Sequence, residues 1–196
     1  RLATLKYVLR RVLDAASVIG EKFDVELLST VLGQDSLEVL ETLNVVAHST
    51  SLVCVEENFY RFDHSRSRET LYEELSPPLK RGYHARIAEK LESTKIAPLP
   101  FSDLAYHYAE AGNKDKALKY AFDAGQDALA RWSNVEAINH FSYVLRNIPE
   151  APENAETRRK AEEGLGDAYY SNSMFKDATR TFEDLSKRQT GADKLR

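Results

Sequence analysis

Leu165-Gly166-Asp167-Ala168-Tyr169, followed by Ala178, Phe182 and Leu185, is the stretch on which the reading of the fold turns. A small residue is followed twelve positions later by alanine, and then by apolar residues four and seven positions further on. The same grammar occurs as Ala105, Ala117, Ala121, Ala124 and as Gly125, Ala137, Phe141, Val144. Leu104 with Tyr108 repeats the pair Leu165 with Tyr169. Small residues let helix backbones approach and large ones fill the space between turns, so stacked helical hairpins bury a core that no single hairpin could bury. The spacing predicts a binding surface made by stacking and implies no reaction centre.

The pattern resembles tetratricopeptide repeats. Leu165-Gly166-x-x-Tyr169 with Ala178 and Phe182 matches best, and Ala137 with Pro149 matches next. The copies step by 20 and then 41 residues, where that family steps by about 34. The resemblance therefore implies a degenerate tetratricopeptide-like α-superhelix, with one helix near 116–131 serving two registers. An ordinary helical bundle with small residues at its crossings is the other reading.

With 42% hydrophobic and 30% charged residues the chain reads as soluble and globular, and no run approaches the ~18 apolar residues of a membrane span. Its one cysteine, Cys54, excludes an internal disulfide framework and fits a reducing, cytoplasmic setting. The first residue is Arg1, and the expectation is a piece of a larger protein. Ser93 to Pro100, with prolines at 98 and 100, interrupts the helical periodicity and divides the chain into domains 1–97 and 98–196. Ser102 or Asp103 then caps the first of five helices expected near 102–111, 114–131, 135–147, 156–171 and 175–188.

The first half follows a different pattern. Leu5, Val8, Leu9, Val12, Leu13, Ala16 and Ile19 form a helical stripe stopped by Gly20. Asp24 caps a short helix closed by Gly33, and Asp35 or Ser36 caps a third with Leu37, Leu40, Leu43 and Val46 inward. Leu52 to Val55 and Phe59 to Phe62 are β-prone runs around a polar turn, a hairpin. The fold class is therefore mostly α: a winged helix-turn-helix with a β-hairpin, further helices near 64–75 and 78–92, then the helical repeats.

Charge argues against DNA for this unit. No lysine or arginine lies between Lys22 and Arg61, while Asp24, Glu26, Asp35, Glu38, Glu41, Glu56 and Glu57 do. That stretch holds both the helix that would enter the major groove and the wing. Phosphate neutralisation supplies most non-specific affinity, so an acidic surface there is repelled. The partner expectation is accordingly no direct nucleic acid and no membrane.

Ala15 to Asp24 with Leu27-Leu28, Tyr60-Arg61-Phe62-Asp63-His64, and Arg68-Glu69-Thr70-Leu71-Tyr72 with Leu75-Ser76-Pro77 resemble the winged-helix region of STAND-class (AAA-related) signalling ATPases. Those meant are of the kind joined to bacterial and archaeal transcriptional regulators and adenylate cyclases. Arg81-x-x-His84-x-x-Ile87-Ala88-x-x-Leu91 and Leu104 to Gly112 are similar to the segments that follow. In that family a nucleotide-binding domain comes first, then a winged helix, then a helical arm that senses a partner. The resemblance implies that this chain is the latter two parts, with ATP or ADP held by an upstream nucleotide-binding domain and no cofactor in the chain itself.

The residues carry no phosphate loop, no His-Glu-x-x-His spacing and no paired ligand for Cys54, so neither an enzyme site nor a metal site is expected. Adjacent Asp63-His64-Ser65 cannot place its side chains in a catalytic relay. His84 and His107, on apolar helical faces, are expected to be core or interhelical residues. The resemblance gives His64 a role: contacting the diphosphate of ADP held by the upstream domain. The residues alone also allow it to pack on Phe62 or help cap the next helix. Helix phase puts Tyr106, Glu110, Glu163, Asp167 and Tyr170 on an inward face suited to a basic or mixed peptide or a neighbouring domain, or else makes them core tyrosines and a solvated acidic face.

Two functions are then open. One is the regulatory and protein-interaction part of a signalling ATPase, coupling partner binding on the repeats to a nucleotide-controlled switch. The other is a free-standing repeat scaffold or adaptor without nucleotide control, with a winged-helix DNA-binding regulator behind both. Neither the effector nor the oligomeric state is legible.

Overall fold

The computed structural model describes residues 2–94 and 99–193, and the side chains of 7–94 and 99–188. The chain is mostly helical, 77% with 10 α-helices and a small three-stranded antiparallel sheet among the described residues. Residues up to Leu99, with Glu110–Gly112, cluster as one compact unit; Pro100–Ala109 and the residues from Asn113 onward form the second. Lys95, Ile96, Ala97 and Pro98, on which the expected linker falls, lie outside the described residues, as does the side chain of Leu5.

The first unit runs α1 (Leu2–Ile19), β1 (Lys22–Phe23), α2 (Val25–Leu32), α3 (Ser36–Ser49), β2 (Val53–Glu56), β3 (Phe59–Phe62), α4 (Ser65–Glu73) and α5 (Pro77–Ser93). Asp24 caps α2 by accepting from the Leu27 N–H at 2.7 Å, and Asp35 caps α3 through Leu37 N–H at 2.9 Å. Gly33 ends α2 at φ 65°, the left-handed conformation that glycine adopts without a Cβ penalty. The sheet order is β1-β3-β2. The short strand β1 pairs Lys22 with Arg61 and Phe23 with Tyr60, a pairing the sequence reading did not include. Phe23, Tyr60 and Phe62 join Leu28, Val31, Leu43, Val46 and Ile87 in the core.

One expectation fails in α3. Its buried stripe is Val39, Leu43 and Val46, whereas Leu37 and Leu40 are 62% and 41% exposed. A stripe stepping by four and then three from Val39 satisfies helical geometry as well as one through Leu37 and Leu40, and the docking of α1 and α2 selects it. Three arginines also hold this unit together. Arg11 and Arg86 donate to the carbonyls of Leu32 and Val31 at 2.9 and 2.8 Å, and Arg68 donates to Ser17 at 3.1 Å. Each meets carbonyls in the last turn of a helix, where the macrodipole favours a cation.

From Pro100 the chain runs through α6 (Phe101–Ala111, whose last two residues group with the first unit), then α7 (Lys114–Ala130), α8 (Asn134–Asn147), a 3-10 turn at Pro152–Asn154, α9 (Ala155–Ser171) and α10 (Phe175–Asp193) of the second unit. Ser102, expected as a cap of α6, instead donates to Glu136 of α8 at 3.0 Å. The helical hairpins end alike. Gly112, Trp132 and Ser173 take positive φ of 84°, 60° and 60°. The next residue donates back across the turn in each case: Asn113 to Tyr108 at 2.9 Å, Ser133 to Ala128 at 2.8 Å and Met174 to Tyr169 at 2.9 Å. These turns follow the same 20- and 41-residue steps as the sequence signature. The single helix α7 buries Ala117, Ala121 and Ala124 of one copy and Gly125 of the next.

Candidate functional site

The second unit carries a groove of about 590 Å³ between α7 and α9, within the size that binding clefts occupy. Asp115, Leu118, Lys119, Phe122 and Asp123 line it from α7. Their spacing of three and four places them on one helical face, distinct from the alanine stripe that faces the core. Glu156, Thr157 and Lys160 of α9 form the opposite wall, and Ile148, Pro149, Glu153 and Asn154 close the end. Leu118, Phe122, Ile148 and Pro149 give an apolar floor.

The rim is acidic. Asp115, Asp123, Glu153 and Glu156 stand against Lys119 and Lys160. Lys160 is 3.4 Å from Glu156, which Arg159 also pairs, so the charges of this wall largely offset one another and the acidic character of the rim rests on Asp115, Asp123 and Glu153. Arg159 hydrogen-bonds Glu156 and holds its carboxyl down at about 2, so that group is ionised at any ordinary pH. Burial pushes the Asp123 carboxyl upward, with Lys119 pulling the other way. A carboxylate that is costly to desolvate beside apolar floor residues gains most from an incoming cation. The groove is thus suited to an extended segment that inserts an apolar side chain and carries lysine or arginine beside it.

The residues nominated by helix phase occupy other surfaces. Tyr106 and Tyr170 are 52% and 64% exposed, Tyr106 edge-on to His107 and Tyr170 edge-on to Phe175. Glu163 is ion-paired to Arg159, while Glu110 and Asp167 are exposed. None of the five lines the α7–α9 groove. The signal that finds the groove is in the sequence all the same: the polar-edged stripe from Asp115 to Asp123 on the face of α7 opposite its alanines.

His64 is the N-cap residue of α4, with backbone φ −132°, and its side chain makes no cap hydrogen bond. The imidazole is 75% exposed and reaches Asp63 at 3.3 Å, leaving Phe62 to bury itself elsewhere in the core. His84 is buried and its Nε2 lies 3.1 Å from the Tyr72 hydroxyl. His107 is buried too, and desolvation lowers its pKa to about 4.

Ser102, His140 and Glu136 come together, but not as a relay. Ser102 Oγ is 3.0 Å from both Glu136 Oε1 and His140 Nε2, and the same carboxylate oxygen is 3.8 Å from that nitrogen. A relay needs the acid on the opposite ring nitrogen, where it orients the imidazole. This trio ties α6 to α8. A shallower concavity near the 3-10 turn holds Arg158 and Arg188, and each is paired with a glutamate, Glu150 and Glu162 respectively. Among the described residues no group of three or more histidine, cysteine or carboxylate side chains is placed to hold a metal ion, and no helix is long and apolar enough to cross a membrane.

On the outer face of the sheet, Glu56 accepts from Arg61 at 2.7 Å and lies 3.9 Å from Lys22, whose amine covers the Phe59 ring at 4.4 Å. Both cations, Lys22 and Arg61, share the one carboxylate of Glu56. No family model, no curated protein and no solved structure matches this chain.

Proposed function

We propose that this chain is a protein-interaction and regulatory module whose second unit receives an extended, basic segment of a partner in the α7–α9 groove. The observation that carries the reading is the apolar floor of Leu118, Phe122, Ile148 and Pro149 beneath a rim of four carboxylates and two lysines. Three helical turns built alike, at Gly112, Trp132 and Ser173, support a degenerate tetratricopeptide-like superhelix as the frame. The order α1-β1-α2-α3-β2-β3 with strand order β1-β3-β2 supports a winged helix-turn-helix for the first unit. Its basic-free α3 and internally paired Lys22 and Arg61 favour a protein-facing role over a DNA-binding one.

The resemblance to STAND-class ATPases extends this reading: the module is the regulatory arm of a larger signalling protein in the cytoplasm. Partner binding is then coupled to an ATP/ADP switch in an upstream nucleotide-binding domain. In that reading His64, exposed at the start of α4, would donate to the diphosphate. A free-standing adaptor would use the same groove without that coupling.

Fluorescence anisotropy tests the groove directly, with a labelled peptide alternating lysine and leucine around a proline, so that it stays extended. Binding to the full chain should weaken about tenfold or more with Phe122→Ala and with Asp123→Lys. Affinity unchanged in both variants would remove the groove as the site.

A further inference from the structure

The exposed face of α3 is a second feature that folding alone does not explain. Leu37, Leu40 and Val45 are 62%, 41% and 42% exposed on this helix. With Glu38, Glu41, Asn44 and His48 they cover one side, opposite the buried Val39, Leu43 and Val46. Glu38, in the first turn, stabilises the helix N-terminus. Neither Glu41 nor the three aliphatic side chains gain anything comparable from facing water. Leu37 and Leu40 are neighbours at three-residue spacing, and Val45 lies two turns on from Leu37 with Glu41 between them. Exposed large apolar side chains interleaved with charge in this way point to an interaction surface.

We infer that this face of α3 docks a cationic amphipathic helix of a partner protein. The charges choose the occupant. No lysine or arginine lies between Lys22 and Arg61, so every formally charged side chain on the face is an acid. Duplex DNA and an anionic lipid surface are repelled by Glu38 and Glu41. A second copy of the chain would set the same two acids against themselves across a two-fold axis, which is also repulsive. A helix with leucine-like anchors at three- and four-residue spacing and lysines or arginines beside them satisfies both the aliphatic stripe and the acids. This inference is independent of the groove between α7 and α9, since it uses other residues of the other unit.

The test uses the full chain and two labelled probes, an amphipathic Leu–Lys helical peptide and its Leu–Glu counterpart, read by fluorescence anisotropy. The Leu–Lys peptide should bind, and added salt should weaken it. Affinity should fall about tenfold or more in the double variant Leu37→Ser/Leu40→Ser and again in Glu38→Gln/Glu41→Gln. Phe122→Ala, in the groove, should leave it unchanged, which separates this site from the proposed one. The Leu–Glu peptide should not bind. Thermal melting of both double variants should fall only slightly, since Glu38→Gln gives up a small N-terminal helix contribution and Leu40 is only partly covered. Binding that survives both double variants, equal binding of the Leu–Glu peptide, or a large loss of stability in either variant would overturn the inference. So would sedimentation showing self-association that Leu37→Ser/Leu40→Ser abolishes, since a second copy would then be the occupant.

Discussion

Gly164 lies directly against the ring of Phe141: a Cβ added to the glycine would meet Cζ at 2.6 Å. Gly125 of α7 meets the same ring, with Cε1 2.8 Å from its would-be Cβ. Phe141 is 1% exposed, so α7 and α9 both close onto an aromatic wedge projecting from α8. Gly166 and Phe182 repeat the relation between α9 and α10 at 2.6 Å, but Phe182 is 38% exposed.

The two settings should respond differently to alanine. Replacing a mid-helix glycine gains about 1 kcal/mol of helix propensity, and overpacking a closed core costs about 1–3 kcal/mol. Phe141 has nowhere to move, so Gly125→Ala and Gly164→Ala should each destabilise by up to about 2 kcal/mol in urea unfolding, the overpacking cost less the propensity gain. Phe182 can swing outward, so Gly166→Ala should be neutral or stabilising by up to about 1 kcal/mol. Adding Phe141→Leu to Gly164→Ala should cost less than the sum of the two single changes, a coupling that a double-mutant cycle reads. A Gly166→Ala variant as unstable as Gly164→Ala would refute the distinction.

Trp132 poses the opposite problem, a large side chain where glycine would fit. It is 79% exposed and sits at φ 60°, in the position that Gly112 occupies one hairpin earlier. A non-glycine residue pays about 1–2 kcal/mol for left-handed backbone, partly offset by the unfolded-state entropy that glycine adds. Trp132→Gly should therefore stabilise the chain by about 0.5–1 kcal/mol. A loss of more than about 1 kcal/mol in chemical denaturation would mean that the indole packs in a way its exposure does not convey.

What the sequence conveyed, and what it withheld, follows from locality. Caps and stops are local chemistry: Asp24, Asp35, Gly20 and Gly33 mark helix ends because a side-chain acceptor or a missing Cβ acts within a few residues. The +12, +16 spacing carried the glycine–phenylalanine contacts at Gly125 and Gly166, yet it passed over Gly164, which reaches back to the preceding helix rather than forward to the next. The α3 stripe was misassigned because Leu37 and Val39 are equally apolar, and only the docking of other helices chooses between them. The arginine contacts of Arg11, Arg68 and Arg86 to distant carbonyls were illegible for the same reason: their partners lie 21, 51 and 55 positions away. The groove was half legible, in the α7 stripe, and its other wall depends on how α9 packs.

Acid should find out His107. Its folded-state pKa of about 4 lies below the ordinary 6.5 because burial disfavours the charged ring. The unfolded chain therefore takes up a proton that the folded chain refuses as pH falls from 6.5 to 4, and stability declines through that window. The loss attributable to this residue approaches about 3 kcal/mol below pH 4. His140, also pushed down by burial, adds to the decline. His107→Gln, which cannot titrate, should flatten the profile between pH 7 and 5 relative to the parent chain. An unchanged slope in pH-dependent urea unfolding would show that the buried ring is not what the acid limb reports.

His64 supplies the sharpest separation between a fold role and a switch role. Its imidazole is 75% exposed and makes no cap hydrogen bond, while its backbone carbonyl accepts from Ser67 and Arg68 in the first turn of α4. Those carbonyl bonds survive any side-chain change, and the contact to Asp63 is a solvent-exposed pair of small worth. His64→Ala should therefore shift the stability of this chain by no more than about 0.5 kcal/mol. In a full protein with an upstream nucleotide-binding domain, the same change should speed ADP release about ten- to a hundredfold, the loss of one charge-assisted hydrogen bond to phosphate. Stopped-flow release of a fluorescent ADP analogue measures the second quantity and thermal melting the first. Unaltered ADP release together with a marked fall in melting temperature would assign His64 to the fold and withdraw it from the switch.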